Sequence, residues 1–288
     1  MNNLIELVNK KLDEYVQIIY PEVIFKSMKY TLMLPGKRLR PVMCLETVRM
    51  LGGDIEKALP IACAIEMLHA QSLIHDDLPC MDNDDFRRGK PSNHKVFGEA
   101  NAVLAGDALL TYAPQLIIEK SMGKLQTETI LKLVYEYTKF AGAHSLIAGQ
   151  VVDIESEGGN LVKSAEETLD FIHLNKTAVL FRLAVRCGAI LVDESKLDEL
   201  DNFATKFGLA FQIYDDIMDE ISSFEELGKT IGKDKNSGKL TYVSLYGLEE
   251  AKNRFNLLLT ECYVIVNKYK SRIFREILDK LRDRILGA

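Results

Sequence analysis

The sequence predicts an all-α protein, a bundle of about ten helices. Three observations lead to the helical prediction. Apolar residues recur with helical periodicity along most of the 288 residues, no stretch keeps the alternation that a strand needs, and pairs of Gly or Pro separate the helical stretches. No Pro/Ser-rich linker or low-complexity segment divides the chain, so we expect one domain that covers residues 1–288.

The helical stretches follow one another from one end of the chain to the other. Good helix formers and apolar periodicity predict them at about 3–18, 21–34, 38–52, 56–78, 95–119, 125–152, 164–190, 195–222, 240–268 and 272–285. Turn-forming residues stand between them, at Pro35-Gly36, Gly52-Gly53, Gly158-Gly159 and from Gly228 to Gly238. Several stretches exceed ~20 residues, which is long enough to cross a domain from end to end.

Composition and charge exclude several classes of protein. The chain is 47% apolar and 27% charged, and its net charge of -6 provides no general basic surface, so we expect no nucleic-acid partner. The amphipathic N-terminus is neither a signal peptide nor a transit peptide, and Arg182 and Arg186 interrupt the most apolar stretch, so we expect no membrane span. The 5 cysteines lack CxxC spacing and favour reduced thiols, which predicts a cytoplasmic protein.

A dense group of carboxylates follows the fourth helical stretch, in the sequence SLIHDDLPCMDNDDFRRGK at 72–90. Carboxylates this close repel one another, and holding them together is unfavourable without a cation. Pro79 removes a helical hydrogen bond, so we expect a local unwinding that brings Asp82 back beside Asp76. The first acidic cluster consists of Asp76, Asp77, Asp82, Asp84 and Asp85.

A second acidic cluster repeats this arrangement in FQIYDDIMD at 211–219. Asp215 and Asp219 are separated by one helical turn and share a face, Asp216 adjoins them, and a loop rich in Gly and Lys follows. One such cluster is most often a solvated helix face. Two clusters on apolar helices, each followed by cations, indicate a metal site. Hard oxygen ligands favour Mg²⁺, and phosphate oxygens commonly complete its coordination shell. The sequence therefore predicts magnesium that carries a diphosphate.

Further motifs extend this interpretation over nearly the whole chain. They are GKRLRP at 36–41, HDDLPCMDNDDFRRGKPSNHK at 75–95, AGDALL at 105–110, GQVVDIESEG at 149–158, KT at 176–177, FQIYDDIMD at 211–219 and LGKTIGKD at 227–234. In these motifs the chain resembles the all-trans polyprenyl diphosphate synthases, and the two extra residues inside the first aspartate motif resemble the bacterial and plastid members. The resemblance implies the isoprenoid synthase fold, in which the helices surround a central cavity, and a homodimer. It also implies condensation of isopentenyl diphosphate with dimethylallyl, geranyl or farnesyl diphosphate.

The resemblance also implies a role for each matching residue. Three Mg²⁺, for which Mn²⁺ is a substitute, would bind Asp76, Asp82 and Asp215, supported by Asp77, Asp216 and Asp219. The allylic diphosphate would be held by Arg87, Lys176, Lys229 and Lys239, and isopentenyl diphosphate by Lys37, Arg40, His69 and Arg88. Thr177 and Gln212 would offer oxygen dipoles to the carbocation. Taken alone, Arg87 is equally consistent with an ion pair to Asp84 or Asp85, and His69 with a core residue.

Product length would depend on the two residues that precede Asp76 by five and four positions. Gln71 and Ser72 both lack the aromatic ring that commonly stands at this pair in farnesyl-forming members, so we expect geranylgeranyl diphosphate, with farnesyl diphosphate as the alternative. Gln71 could instead pack at a subunit interface. A terpene cyclase and a head-to-head condensing enzyme usually have a different second metal motif. An inactive subunit of a heteromeric synthase typically loses aspartates or cations that this chain keeps.

Overall fold

The computed structural model describes residues 1–157, 159, 162–221 and 240–287. The all-α prediction is confirmed. The first helices are α1 (Asn2–Tyr15), α2 (Glu22–Leu32), α3 (Leu39–Met50), α4 (Ile55–Asp76), α5 (Asn93–Phe97), α6 (Glu99–Ser121) and α7 (Thr127–Ala141). They are followed by α8 (Leu146–Glu157), α9 (Ala165–Ile172), α10 (Val179–Val192), α11 (Leu197–Ile221), α12 (Tyr242–Tyr246), α13 (Leu248–Tyr269) and α14 (Arg272–Leu286). No helix in these described ranges is long and apolar enough to cross a membrane.

The chain packs as two compact units. The first comprises Met1–Thr138 with Ile190–Val192, and the second comprises Lys139–Ala189 with Asp193–Ala288. The prediction of a single domain over 1–288 therefore stays a prediction, as does the central cavity.

Helix α4 forms the core of the first unit because its sequence is apolar on nearly every side. It packs against α3 and α6. The contact with α6 is close at Gly106, where a Cβ atom would lie 2.0 Å from His75 Nε2, so only glycine fits at this position. His75 Nε2 lies 3.1 Å from the Val103 carbonyl, and Gln71 Nε2 lies 3.1 Å from His75 Nδ1. These contacts hold the end of α4 against α6.

Helix α11 has the corresponding position in the second unit, where it packs against α13 and a π-helical turn, His173–Ala178. A group of aromatic rings fills this core. Phe207 meets Phe181 edge to face with ring centroids 4.9 Å apart, and Phe203 lies 5.1 Å from Phe274. Offset and edge-to-face ring pairs of this kind stabilise a core beyond the area that they bury.

The structure divides several of the predicted stretches. Gly98, with a φ of 83°, separates α5 from α6 inside the predicted stretch 95–119, and residues 142–145 separate α7 from α8. The π-helical turn interrupts the predicted stretch 164–190. A positive φ suits glycine and ends regular helical geometry, which periodicity alone does not reveal. A two-residue hairpin, β1 (Phe86–Arg87) paired with β2 (Lys90–Pro91), was not predicted.

Candidate active site

The first acidic cluster begins where α4 ends. The helix stops at Asp76, three residues before Pro79, and the Asp82 amide donates a hydrogen bond of 2.9 Å to the Asp76 carbonyl. The predicted return of Asp82 to the side of Asp76 is thereby confirmed for the backbone. Asp82 is exposed and Asp76 is partly exposed, so both carboxylates are open to a ligand from solvent.

Asp77 differs from its neighbours because it is buried, with only 1% of its surface exposed. The guanidinium of Arg87 donates to both carboxylate oxygens of Asp77, with Nε 3.0 Å from Oδ1, and also lies 3.6 Å from Asp84. Lys95 forms an ion pair of 2.7 Å with Asp85. Asp77, Asp84 and Asp85 therefore each lie within ion-pair distance of a cation of the protein itself. The predicted contact between Arg87 and a substrate diphosphate stays a prediction.

Burial and pairing act in opposite directions on the Arg87–Asp77 pair. Burial lowers the pKa of Arg87, whereas the hydrogen bonds to Asp77 and the negative charges of Asp77, Asp76 and Asp82 together raise it, so the net pKa is raised. The guanidinium therefore stays charged, and the ion pair fixes the loop between α4 and the β1–β2 hairpin.

Three of the residues predicted to bind isopentenyl diphosphate lie together. Nη1 of Arg40 and Nη2 of Arg88 are each 3.4 Å from Nε2 of His69. Burial and the charges of Arg40 and Arg88 hold the pKa of His69 well below its ordinary value, so the imidazole is neutral near pH 7. Because a guanidinium only donates hydrogen bonds, Nε2 is the acceptor and the proton lies on Nδ1.

Gly36 lies beside this group, and the fourth predicted cation is more exposed than the other three residues. A Cβ atom at Gly36 would lie 2.6 Å from Nη1 of Arg88, so the backbone approaches the guanidinium closely. Lys37 is exposed. Arg38, by contrast, is buried in an ion pair of 2.7 Å with Glu66, which makes it part of the core.

The second acidic cluster lies near the end of α11 and also contains one buried aspartate. Asp216 accepts a hydrogen bond of 2.9 Å from Gln212 Nε2 and one of 2.8 Å from the backbone N–H of Tyr242. Gln212 in turn accepts a hydrogen bond of 2.5 Å from the hydroxyl of Thr177. The structure thus joins the predicted dipole pair to the acidic cluster. Asp215 is exposed and Asp219 is partly exposed.

The remaining predicted residues occupy different environments. Lys176 is partly buried in the π-helical turn and forms an ion pair with Asp153 of α8, a residue to which the sequence assigned no role. Lys229 and Lys239 lie outside the described residues. The hydroxyl of Ser72 donates to the His69 carbonyl at 2.9 Å.

The carboxylates fit a magnesium ion that is completed by its ligand. No group of three or more Asp, Glu, His or Cys side chains in the described part of the chain is arranged to hold a metal ion. Mg²⁺ usually binds one or two carboxylates together with substrate phosphates and water, and does not need an all-protein cage. Asp76, Asp82 and Asp215 present hard oxygen donors to solvent, so they suit this mode of binding.

An all-α fold with two paired-aspartate clusters and two arginines grouped around His69 agrees with one class of protein: the chain is a prenyltransferase. The profile described as polyprenyl synthetase matches residues 21–281. The chain belongs to the polyprenyl synthetase family.

Named relatives agree with this assignment. The chain is 47% identical over 286 residues to heterodimeric geranylgeranyl pyrophosphate synthase large subunit 1, chloroplastic, of Arabidopsis thaliana, covering 98% of this chain and 72% of that protein. It is 50% identical over 247 residues to geranylgeranyl pyrophosphate synthase, chloroplastic, of Capsicum annuum, covering 85% and 66%. The crystal structure of a Helicobacter pylori geranyltransferase, complexed with magnesium and isoprenyl diphosphate, superposes with a TM-score of 0.83 at 33% identity and covers 100% and 96% of the two chains.

Proposed function

We propose that this chain is a short-chain all-trans prenyl diphosphate synthase. It condenses isopentenyl diphosphate with dimethylallyl, geranyl or farnesyl diphosphate, head to tail, and its main product is geranylgeranyl diphosphate. The observation that carries the proposal is the pair of acidic clusters, each with a solvent-accessible first aspartate and a buried second aspartate. The identity to two geranylgeranyl pyrophosphate synthases supports the product, and both clusters are complete, which favours a catalytic chain over an inactive subunit.

The reaction separates charge, and the proposed residues stabilise the charges that develop. The allylic C–O bond breaks into a carbocation and diphosphate, the double bond of isopentenyl diphosphate attacks the cation, and loss of a proton restores a double bond. The released diphosphate accepts that proton, so no side chain has to act as general base. Lys176, with Arg87, Lys229 and Lys239, holds the leaving diphosphate in place.

The proposed cofactor is three Mg²⁺, for which Mn²⁺ can substitute. Asp76, Asp82 and Asp215 would hold the ions, with Asp77, Asp216 and Asp219 as support. When bound, the ions supply Lewis-acid stabilisation of the leaving diphosphate. The hydroxyl of Thr177 and the carboxamide of Gln212 direct oxygen dipoles toward the cation.

Isopentenyl diphosphate is proposed to bind at Arg40, His69 and Arg88, with Lys37 at the edge. Two guanidiniums around one neutral imidazole provide donors for a diphosphate without using the metal ligands. The neutral His69 can itself donate through its Nδ1–H, so it adds a hydrogen bond and no charge.

Mass analysis of the products tests the proposal. Dimethylallyl and isopentenyl diphosphates are incubated with the protein and Mg²⁺, and the dephosphorylated products are identified. We expect a twenty-carbon alcohol as the main product. A fifteen-carbon product would assign farnesyl diphosphate synthase instead, and an absence of any condensation product would overturn the catalytic assignment.

A homodimer belongs to this proposal. Large apolar side chains on the outside of α6 and α7 are between 39% and 65% exposed: Val103, Leu104, Ile118, Leu131 and Tyr135. A second copy of the chain would bury this apolar face. In sedimentation experiments we expect a dimer for the wild type and dissociation for Leu104→Glu combined with Leu131→Glu. Val264→Glu is the matched control. Val264 is 63% exposed and lies on α13, not on α6 or α7, so this variant should remain dimeric.

The cytoplasm is the proposed compartment. Four of the five cysteines are buried at separate places, and the fifth, Cys80, is exposed beside the first acidic cluster, where an oxidising compartment would modify it. Fractionation of the source cells, followed by detection of the protein, tests this proposal, and recovery outside the cytoplasmic fraction would overturn it.

A further inference from the structure

The motif GQVVD on α8 has no role in the reaction described so far, yet it contacts the π-helical turn that carries Lys176. The contact is close at Gly149, where a Cβ atom would lie 2.6 Å from the backbone of both Asn175 and Lys176. One helical turn after Gly149, on the same face of α8, stands Asp153. The packing of α8 therefore brings the Asp153 carboxylate to the Lys176 side chain.

One carboxylate oxygen of Asp153, Oδ2, accepts a hydrogen bond from the Lys176 ammonium. The other, Oδ1, is buried and has no hydrogen-bond partner among the described residues, and only 3% of the surface of Asp153 is exposed. Gln150 Nε2, on the same side of α8, is likewise buried without a partner in that part of the chain. Buried polar atoms that lack partners are unfavourable for folding, so their presence points to a task other than stability.

A lysine is a weak choice for orienting a diphosphate unless its side chain is held. Four rotatable bonds place the ammonium on a flexible stem, and binding must restrict all of them. A buried carboxylate that accepts a hydrogen bond from the ammonium restricts these rotations before the substrate binds. Because Lys176 keeps 21% of its side-chain surface exposed, its ammonium can still meet a ligand while Asp153 holds it.

We propose that Asp153 is a positioning residue, which acts through Lys176 to hold the ammonium where it stabilises the leaving diphosphate. This inference rests on the proposed function. Asp153 does not touch the substrate, so its removal should matter only while Lys176 is present.

A double-mutant cycle in steady-state kinetics tests the proposal. Asp153→Asn, which keeps the shape and removes the charge, should lower kcat/KM for the allylic diphosphate about 10- to 100-fold. The KM for isopentenyl diphosphate should stay within about twofold of the wild-type value. In the Lys176→Ala background the same substitution should change kcat/KM by less than about threefold. Multiplication of the two single effects in the double variant would overturn the proposal.

Thermal unfolding provides a measurement that does not depend on activity. In Lys176→Ala the Asp153 carboxylate is buried without its cation, so adding Asp153→Asn should raise the Tm of that variant by about 2 °C or more. A lower Tm would contradict the ion pair as the reason for Asp153. Glu155→Gln, which changes an exposed carboxylate on the same helix, is the control and should leave both kcat/KM and Tm unchanged.

The two measurements separate failure of this inference from failure of the proposed function. A wild-type protein that makes no prenyl product overturns the proposed function, and with it the positioning role. An active wild type with multiplicative kinetic effects overturns the positioning role alone.

Discussion

The two acidic clusters share one pattern and differ in the described partners of the buried aspartate. In the first cluster Asp77 pairs with Arg87, a full positive charge, ten residues along the chain. In the second cluster Asp216 accepts hydrogen bonds from neutral groups, the Gln212 carboxamide and the Tyr242 backbone amide, and lies 3.6 Å from His173 Nε2. The first aspartate of each pair, Asp76 or Asp215, is accessible to solvent.

The buried and the accessible aspartate of each pair have different tasks, although the sequence motif places them side by side. The buried aspartate of each cluster ties down the segment that follows: Asp77 holds the β1–β2 hairpin through Arg87, and Asp216 holds the start of α12 through Tyr242. The accessible aspartate remains available for a metal ion. A DD pair in this protein therefore combines one accessible carboxylate, which is the proposed metal ligand, and one buried carboxylate, which anchors the segment that follows.

The largest effect is expected at the accessible aspartates. Asp76→Ala or Asp215→Ala should lower turnover about 1000-fold or more, because each removes a proposed metal ligand from the ionising diphosphate. The fold should be retained by circular dichroism, since these carboxylates repel their neighbours. Steady-state kinetics with Mg²⁺ measures the effect. Retention of more than roughly a tenth of the rate, equal to about 1.4 kcal/mol of barrier, would remove that residue from the site.

Both buried aspartates should affect stability. Asp77→Asn leaves the Arg87 guanidinium, only 14% exposed, without its main carboxylate and should lower the free energy of unfolding by about 3 kcal/mol. Asp216→Asn weakens the hydrogen bonds that the Gln212 carboxamide and the Tyr242 amide donate to it and should lower the free energy of unfolding by about 1 kcal/mol or more. Urea unfolding measures both variants.

A matched control exists for the ion pair. Arg87→Gln added to Asp77→Asn should recover part of the lost stability, because the double variant buries no unpaired charge. A double variant that recovers none of the lost stability would contradict the ion pair as the source of the loss.

The cations around the two clusters should separate the two substrates. Lys37→Ala or Arg40→Ala should raise the KM for isopentenyl diphosphate about tenfold and leave the allylic KM nearly unchanged, since one charge-assisted contact is worth about 1.5–3 kcal/mol. Lys229→Ala should have the opposite effect. Initial rates with each substrate varied in turn measure the split. Equal changes in both KM values would show that the two diphosphates are not bound by separate sets.

Helix α4 should set product length, whereas α11 should not. Four residues before Asp215 stands Phe211, whose ring lies 5.1 Å from that of Phe181, but four and five residues before Asp76 stand Ser72 and Gln71 without rings. Gln71→Tyr should shift the main product from twenty to fifteen carbons. Gas chromatography of the dephosphorylated products measures the ratio. Phe211→Leu is the comparison, and a larger shift from it than from Gln71→Tyr would contradict the assignment.

The smallest effect concerns His69, which lies beside two arginines, whereas His173 lies beside Asp216. His69 faces Arg40 and Arg88, and its pKa lies well below the ordinary value near 6.5. Below pH 6.5 the imidazole of His69 is therefore protonated in the unfolded chain but stays neutral in the folded protein. The free energy of unfolding consequently falls as the pH falls. Between pH 6.5 and 5.5 the wild type should lose about 1 kcal/mol more than His69→Gln in urea unfolding. Parallel pH dependences of the two proteins would contradict a neutral His69.

Local spacing alone determined much of this protein. Helical periodicity predicted the fold class, because burying one face of a helix requires apolar residues at intervals that the sequence displays directly. Pro79 predicted that Asp82 returns beside Asp76, because a proline removes a helical hydrogen bond wherever it stands. Periodicity did not predict that Gly98 and the π-helical turn divide two of the stretches. The backbone geometry at these places depends on packing against neighbouring helices.

Only the tertiary structure decided which partner each charged group has. Arg87 follows both aspartate pairs of the first cluster, and nothing in its spacing selects Asp77 over Asp85. Asp153 reaches Lys176 across 23 positions and Asp216 reaches Tyr242 across 26, because helices α8 and α11 pack against the segments that carry those partners. A sequence pattern states which face of a helix is apolar, whereas the pairing of polar groups depends on the approach and rotation of packed helices. The sequence therefore determined the residue types of the site, and the packing determined which of its carboxylates are buried and which are accessible to solvent.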